Sequence, residues 1–158
     1  MKNIFKLIFS ILVCQLAGFI GSMFTSSSID VWYKAIQKPS FNPSNWIFAP
    51  VWTLLFLMMG ISLYFVLIKR KSNSTKNGLI LFSIQLGLNV VWSVIFFGFR
   101  NIIFAFIEII FLWIFIALTI YKFWFIDKRS SYLLFPYLFW VTFASILNFY
   151  IWRLNLIV

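Results

Sequence analysis

The sequence predicts an all-α integral membrane protein: a bundle of five transmembrane helices with a Pro- and Trp-rich loop lid between helices 1 and 2. Composition is the first reason. Of 158 residues, 63% are hydrophobic and only 10% are charged, and the mean hydropathy is +1.01. A soluble domain of this size has no interior large enough to hide that much apolar surface. Length is the second reason. Five apolar runs, at about 4–24, 46–68, 79–99, 102–125 and 132–157, each reach the roughly 20 residues that a helix needs to cross the hydrocarbon core. The third reason is the backbone. In lipid each segment must satisfy its own N–H and C=O groups, and these runs are too long and too continuously apolar for barrel strands. Residues 1–158 read as one membrane domain.

The first run opens with Lys2 and Lys6. It is long for a cleaved leader, and no A-x-A site follows it, so it reads as a true span. Gln15, Gly18 and Ser22 fall near one face and give this helix a small, polar stripe to pack inward. Ala17 and Gly21 form a small-xxx-small pair suited to close helix contact. Next comes WYKAIQKPSFNPSNWIFAPVWTLLFLMMG, residues 32–60. Pro39, Pro43 and Pro50 fix φ at three points and restrict the residue before each, so the connection is stiff. It serves either as the lid of a pocket or as a connector anchored by interfacial tryptophans. Residues 69–78 read as a short polar turn. Arg100-Asn101 leaves room only for a tight antiparallel hairpin between the third and fourth helices. Asp127, Lys128 and Arg129 mark the last link.

The formal charge of +10 sits at helix ends, which assigns it to topology and lipid headgroups and leaves no case for nucleic acid. Lys2, Lys6, Lys69, Arg70, Lys71, Lys76, Lys122, Lys128 and Arg129 share one side. Lys34, Lys38, Arg100 and Arg153 share the other. The bias predicts a cytoplasmic N-terminus, an outer C-terminus and an outward-facing loop. Richness in Phe, Ile, Asn and Lys points to an AT-rich genome and a bacterial cell membrane. With no histidine and one cysteine, Cys14, the chain has no internal disulfide and no His/Cys metal cluster.

Several side chains are placed to do chemistry. Gln85, Asn89 and Ser93 recur at i, i+4, i+8 and make a polar stripe, used either for interhelical hydrogen bonds or for ligand contact. Pro136, Trp140, Ala144, Asn148 and Trp152 are also spaced by four, a row that drifts about 40° per step. Trp140 beside Ala144 leaves a slot for a flat ligand, and Trp52 and Phe56 repeat the spacing. Bundle packing explains any one of these aromatics; together with the polar stripe they point to a pocket. Glu108 is the only acid well inside a span, either a proton site or a structural hydrogen-bonding group. Lys34, Lys38 and Arg153 are candidates to meet ligand carboxylates at the mouth, or else they snorkel.

The chain resembles the TspO/MBR family of tryptophan-rich sensory and translocator proteins. The matching residues are Trp32-Tyr33, Lys38-Pro39-Ser40, Pro43, Trp46, Phe48-Ala49-Pro50-Val51-Trp52-Thr53 and Met59-Gly60. They continue through Gln85, Asn89, Trp92-Ser93, Pro136-Tyr137, Trp140, Phe143-Ala144, Leu147-Asn148, Ile151-Trp152, Leu154 and Asn155. Asn42-Pro43-Ser44 departs from the consecutive prolines usual in the family.

The resemblance implies a five-span protein, often a homodimer amid membrane lipids. It implies a pocket under the first loop for porphyrins and for isoquinoline- or benzodiazepine-type ligands. Carried over by position, the ligand-binding residues are Tyr33, Trp52, Gln85, Asn89, Trp92, Ser93, Trp140, Ala144 and Leu147. A tetrapyrrole such as protoporphyrin IX is flat and apolar with carboxylate tails, which suits indole stacking. Without histidine, iron would fall to Tyr, Met or Cys14, which favours metal-free porphyrin over haem. No cofactor is expected beyond that ligand. Binding and sensing is one role. Light- and oxygen-dependent porphyrin degradation, with Trp52 and Trp140 as the reacting residues, is a second, and tetrapyrrole or lipid transport a third.

Overall fold

A computed structural model describes residues 2–69 and 73–156. Arg70 and Lys71, which enter the charge count above, lie outside the described residues, as does the last residue of the fifth run. Helix α1 spans Lys2–Ser28, and a short α2 covers Trp32–Ala35. Helix α3 is Asn45–Leu67 and α4 is Asn73–Ser93, continued by a π-helical turn at Val94–Gly98. Helix α5 is Ile102–Trp124 and α6 is Lys128–Leu154. Five of these, all but α2, are long and apolar enough to cross a membrane. The molecule is an integral membrane protein.

The five long helices close into a ring in the order α1–α3–α6–α5–α4, with α4 returning to α1. Small residues set the close approaches. At Gly60 on α3, an added Cβ would stand 2.7 Å from the Ile11 Cα, so only glycine lets α1 and α3 touch backbone to backbone. Ser62 and Ser130 clasp α3 to α6: each hydroxyl lies within reach of the other residue's carbonyl, at 2.8 and 2.9 Å. Inside the ring, Met59, Val66, Phe123, Tyr137 and Val141 are fully buried.

The polar turn expected at 69–78 is shorter than its composition implied. Asn73–Gly78 already belongs to α4, because a helix continues to satisfy its own backbone once it leaves the lipid, and Gly78 makes room for Phe123 and Ile126. Asp127 then opens α6. Its carboxylate accepts from the Arg129 backbone N–H at 3.0 Å and pairs with the guanidinium of Arg129 and with Lys69. Hydrogen bonding to Arg129, then to Lys69, holds the Asp127 carboxyl well below the usual carboxylate range.

At the other end, Asn101 caps α5 by accepting from the Phe104 N–H at 3.0 Å. Arg100 takes a left-handed φ of 56° within the three-residue connection, 99–101, that closes the hairpin. The connection from α1 to α3 lies over this end. Ser28 donates to the Phe97 carbonyl at 2.8 Å. Asn155 of α6 holds the loop at Gln37 through two bonds: its Nδ2 donates to the Gln37 carbonyl at 2.9 Å, and its Oδ1 accepts from the Gln37 N–H at 3.1 Å.

Candidate ligand-binding cavity

Beneath that loop the ring holds a cavity of about 740 Å³, a volume suited to one drug- or cofactor-sized ligand. Its walls are aromatic. Trp52 of α3 and Trp140 of α6 stand edge to face, with centroids 6.5 Å apart and planes at 89°. Phe48 meets Trp140 at 6.2 Å, and Phe56 tilts against Trp52 at 5.7 Å. The floor is polar. The Asn89 amide donates to the Tyr137 hydroxyl at 2.9 Å, and the Trp92 indole donates to the Asn148 side chain at 3.2 Å. Asn148 in turn donates to the Ile102 carbonyl at 3.1 Å, so this end of the floor is internally satisfied. The Trp140 Nε1 is different: it is buried and has no hydrogen-bond partner among the described residues.

Tyr33 roofs the cavity. It is only 2% exposed, packs against Phe48, Phe96 and Phe97, and donates to Asn42 at 2.6 Å. Burial pushes its phenol above its ordinary range.

One side is open. The C-terminal half of α1 and the N-terminal half of α3 both line the space without covering it, and Phe19, Ser22, Ala49 and Thr53 there remain exposed. Trp46 stands at this rim, 73% exposed. Below the gap the two helices close on each other, where Gln15 donates to the Thr53 carbonyl at 3.1 Å.

Tyr33, Trp52, Phe56, Asn89, Trp92, Ser93, Trp140, Ala144 and Leu147 all line this one cavity. Gln85 does not. It is buried elsewhere at 1% exposure, with neither amide atom hydrogen-bonded among the described residues. The row Gln85-Asn89-Ser93 turns about 40° per step, and two steps carry its first member off the cavity face.

The basic residues named for the mouth also lie outside the lining. Lys34 and Arg153 are exposed on α2 and α6. Lys38 is turned into the loop, donating to the carbonyls of Tyr33 at 2.6 Å, Ile36 at 2.8 Å and Lys34 at 3.2 Å. It also lies 5.1 Å from the Tyr33 ring centre, and desolvation lowers its pKa. Its work is to hold the lid.

Residues not assigned to the site from sequence include Phe96, Phe97 and Asn148, together with the α1 wall at Gly18, Gly21 and Thr25. A signal for α1 was present in the inward stripe of Gln15, Gly18 and Ser22, all three of which reach the cavity. Glu108 is elsewhere, buried behind a lipid-facing crevice between the π-helical turn and α5, with neither carboxyl oxygen hydrogen-bonded among the described residues.

Comparison with known proteins agrees with this architecture. A sequence model of the TspO/MBR family matches residues 10–153. The chain is 47% identical to the "Tryptophan-rich protein TspO" of Chlorobaculum tepidum, over 98% of each protein. It is 34% identical to the "Translocator protein" of Homo sapiens, over 89% of this chain and 85% of that one. It is 33% identical to the "Tryptophan-rich sensory protein" of Cereibacter sphaeroides, over 80% of this chain and 78% of that one.

Proposed function

The chain belongs to the TspO/MBR family, and from that premise we propose that this membrane receptor binds a flat, apolar ligand of the tetrapyrrole class, such as protoporphyrin IX, in the cavity under its first loop. The observation that carries the reading is the pair Trp52 and Trp140. Two perpendicular indoles form a wall for a flat ring, and the buried, unpartnered Trp140 N–H offers a donor to a ligand acceptor. Isoquinoline- and benzodiazepine-type molecules, which pair a flat aromatic body with a carbonyl or imine acceptor, suit the same wall.

The test is a titration of the purified protein with protoporphyrin IX in the dark, following tryptophan fluorescence. Saturable quenching that weakens in Trp140→Ala supports the reading. Its absence sinks it.

A second reading has one observation in its favour. Both oxidisable indoles share the wall that the ring would occupy, so a photoexcited porphyrin would have electron donors at contact distance. Light- and oxygen-dependent loss of the porphyrin spectrum, abolished in Trp52→Phe with binding retained, would make this chain a degrading enzyme as well as a receptor. We further propose a homodimer, on the family resemblance; a bacterial cell membrane, on the richness in Phe, Ile, Asn and Lys; and a cytoplasmic N-terminus, on the charge bias between the two ends of the bundle. A C-terminal reporter active only in the cytoplasm would reverse that placement.

A further inference from the structure

Glu108 takes no part in the aromatic cavity. It is only 8% exposed, and neither carboxyl oxygen has a hydrogen-bond partner among the described residues. The ion pairs of those residues all fall on Asp127, at the other end of the bundle. An unpaired carboxylate is costly in hydrocarbon, and an unpaired acid still leaves a buried donor and acceptor unmade. Of the two roles open to Glu108 in the sequence, the structural hydrogen bond therefore finds no partner among the described residues.

Two local features build the crevice in front of it. On α5 and its cap, Asn101, Phe104, Glu108 and Phe111 recur at i, i+3, i+7 and i+10, so they share one face. Opposite, the π-helical turn sends Phe96 and Phe97 into the bundle and leaves Ile95 and Phe99 as the facing wall. The space between is about 440 Å³. Phe99, Phe104 and Phe111 are exposed on or beside two membrane-spanning helices, which opens the crevice to the bilayer. Asn101 marks its outer end, about 10 Å along the helix from Glu108 at 1.5 Å per residue.

We propose that this crevice is a second ligand site, separate from the aromatic cavity, and that it takes a lipophilic amine from the bilayer. One acid among phenylalanine rings is the complement of such a molecule. The neutral amine dissolves among acyl chains. At Glu108 its nitrogen takes the carboxyl proton, and the ammonium so formed donates its N–H back to the carboxylate as a charge-assisted bond. One O–H bond breaks, one N–H bond forms, and the net charge stays zero. Phe104 and Phe111, one turn to either side of Glu108, supply π-faces that attract an ammonium group. The apolar walls take the hydrocarbon part. An ether or a plain hydrocarbon brings no base and leaves the charge-assisted bond unmade.

The experiment uses the full chain in nanodiscs of zwitterionic lipid, with tritiated N,N-dimethylhexadecylamine as the probe and hexadecyl methyl ether as its uncharged counterpart. Amine binding is counted after subtraction of protein-free nanodiscs. Dicyclohexylcarbodiimide, an apolar reagent that adds to carboxyl groups, reports on the site itself, with the labelled residue located by peptide mass. The expected result is saturable amine binding that falls by about 10-fold or more in Glu108→Gln. Glu108 of the wild-type protein should be labelled, and the amine should slow that labelling by about 5-fold or more while the ether slows it by less than about 2-fold. Thermal unfolding checks that Glu108→Gln is folded; if it is not, the comparison of amine and ether on the wild-type protein decides alone. Equal protection by the two probes would overturn the inference, as would undiminished amine binding in folded Glu108→Gln or a Glu108 that the carbodiimide never reaches. Labelling that rises only as the protein is diluted in lipid, with neither probe protecting, would assign the crevice to a second copy of this chain and overturn it as well.

Discussion

The Trp140 indole lies edge-on to Trp52, 6.5 Å between centroids, with its N–H buried and bonded to nothing among the described residues. A buried donor left unmade costs on the order of 1–3 kcal/mol, and a ligand acceptor relieves that cost. We expect Trp140→Phe, which keeps an aromatic but smaller ring and removes the donor, to weaken ligands with a carbonyl or imine acceptor by roughly 3- to 10-fold more than it weakens purely apolar ones. Equal loss for both kinds in a fluorescence titration would show that the N–H makes no bond to the ligand.

The cavity's width depends on Gly18. A Cβ there would stand 2.5 Å from Cδ2 of Phe56, and the ring would have to swing against Trp52. Gly18→Ala is expected to reduce affinity for a bulky tetrapyrrole by about 10-fold while sparing small aromatic ligands, because the ring yields where a backbone would not. Unchanged tetrapyrrole affinity would mean that this wall is not touched.

Gly60 and Gly87 make a matched pair for stability. The first would drive a methyl group into the Ile11 backbone, whereas at the second nothing lies within 4 Å. Thermal unfolding in detergent should show Gly60→Ala destabilised by about 1–3 kcal/mol. Gly87→Ala should be neutral or stabilised by roughly 0.5–1 kcal/mol through helix propensity. A neutral Gly60→Ala would count against the backbone contact between α1 and α3.

Asp127 links stability to pH. Its folded carboxyl titrates below its unfolded value, which is about 3.9, because Arg129 and Lys69 bond to the charged form. Its contribution is therefore complete above that unfolded value and is lost as pH falls toward the folded one. The melting temperature of the wild-type protein should decline below about pH 4, and Asp127→Asn should flatten that part of the curve. Parallel acid profiles for the two proteins would contradict the assignment.

The lid meets α6 through Asn155, which bonds both the N–H and the carbonyl of Gln37, and through Phe41, which packs on Phe143 and Tyr150. Asn155→Ala should speed amide hydrogen exchange across residues 29–44 by about 10-fold or more and leave α5 unchanged. Unchanged exchange in the variant would show that Tyr33, Lys38 and Phe41 hold the loop without this bond.

Much of this arrangement was legible in the sequence because lipid leaves a helix few options. Apolar length gave the spans, and the i, i+4 spacings put Trp52 beside Phe56 and Trp140 beside Ala144. What escaped depended on rotation and on where protons go. The stripe through Asn89 was read one residue too far, so Gln85 was assigned to a cavity from which helical drift removes it. The π-helical turn at Val94–Gly98 adds a residue per turn and swings both Phe96 and Phe97 inward, which a regular period does not foresee. In the sequence Lys38 is a candidate for ligand carboxylates or for snorkelling, and only the folded loop shows its ammonium bonded to three carbonyls.

The uncovered gap between α1 and α3 has a thermodynamic consequence. Its rim, from Phe19 to Trp46, is exposed on two membrane-spanning helices, which opens the cavity sideways to molecules dissolved in the bilayer. Occupancy then follows the ligand's mole fraction in lipid. An apparent dissociation constant quoted per litre of solution becomes the product of an intrinsic affinity and a partition coefficient. Doubling the lipid at fixed ligand dilutes a strongly partitioning molecule and halves occupancy at the low end of the titration curve. Two preparations of the same protein agree only when their affinities are expressed per mole of membrane.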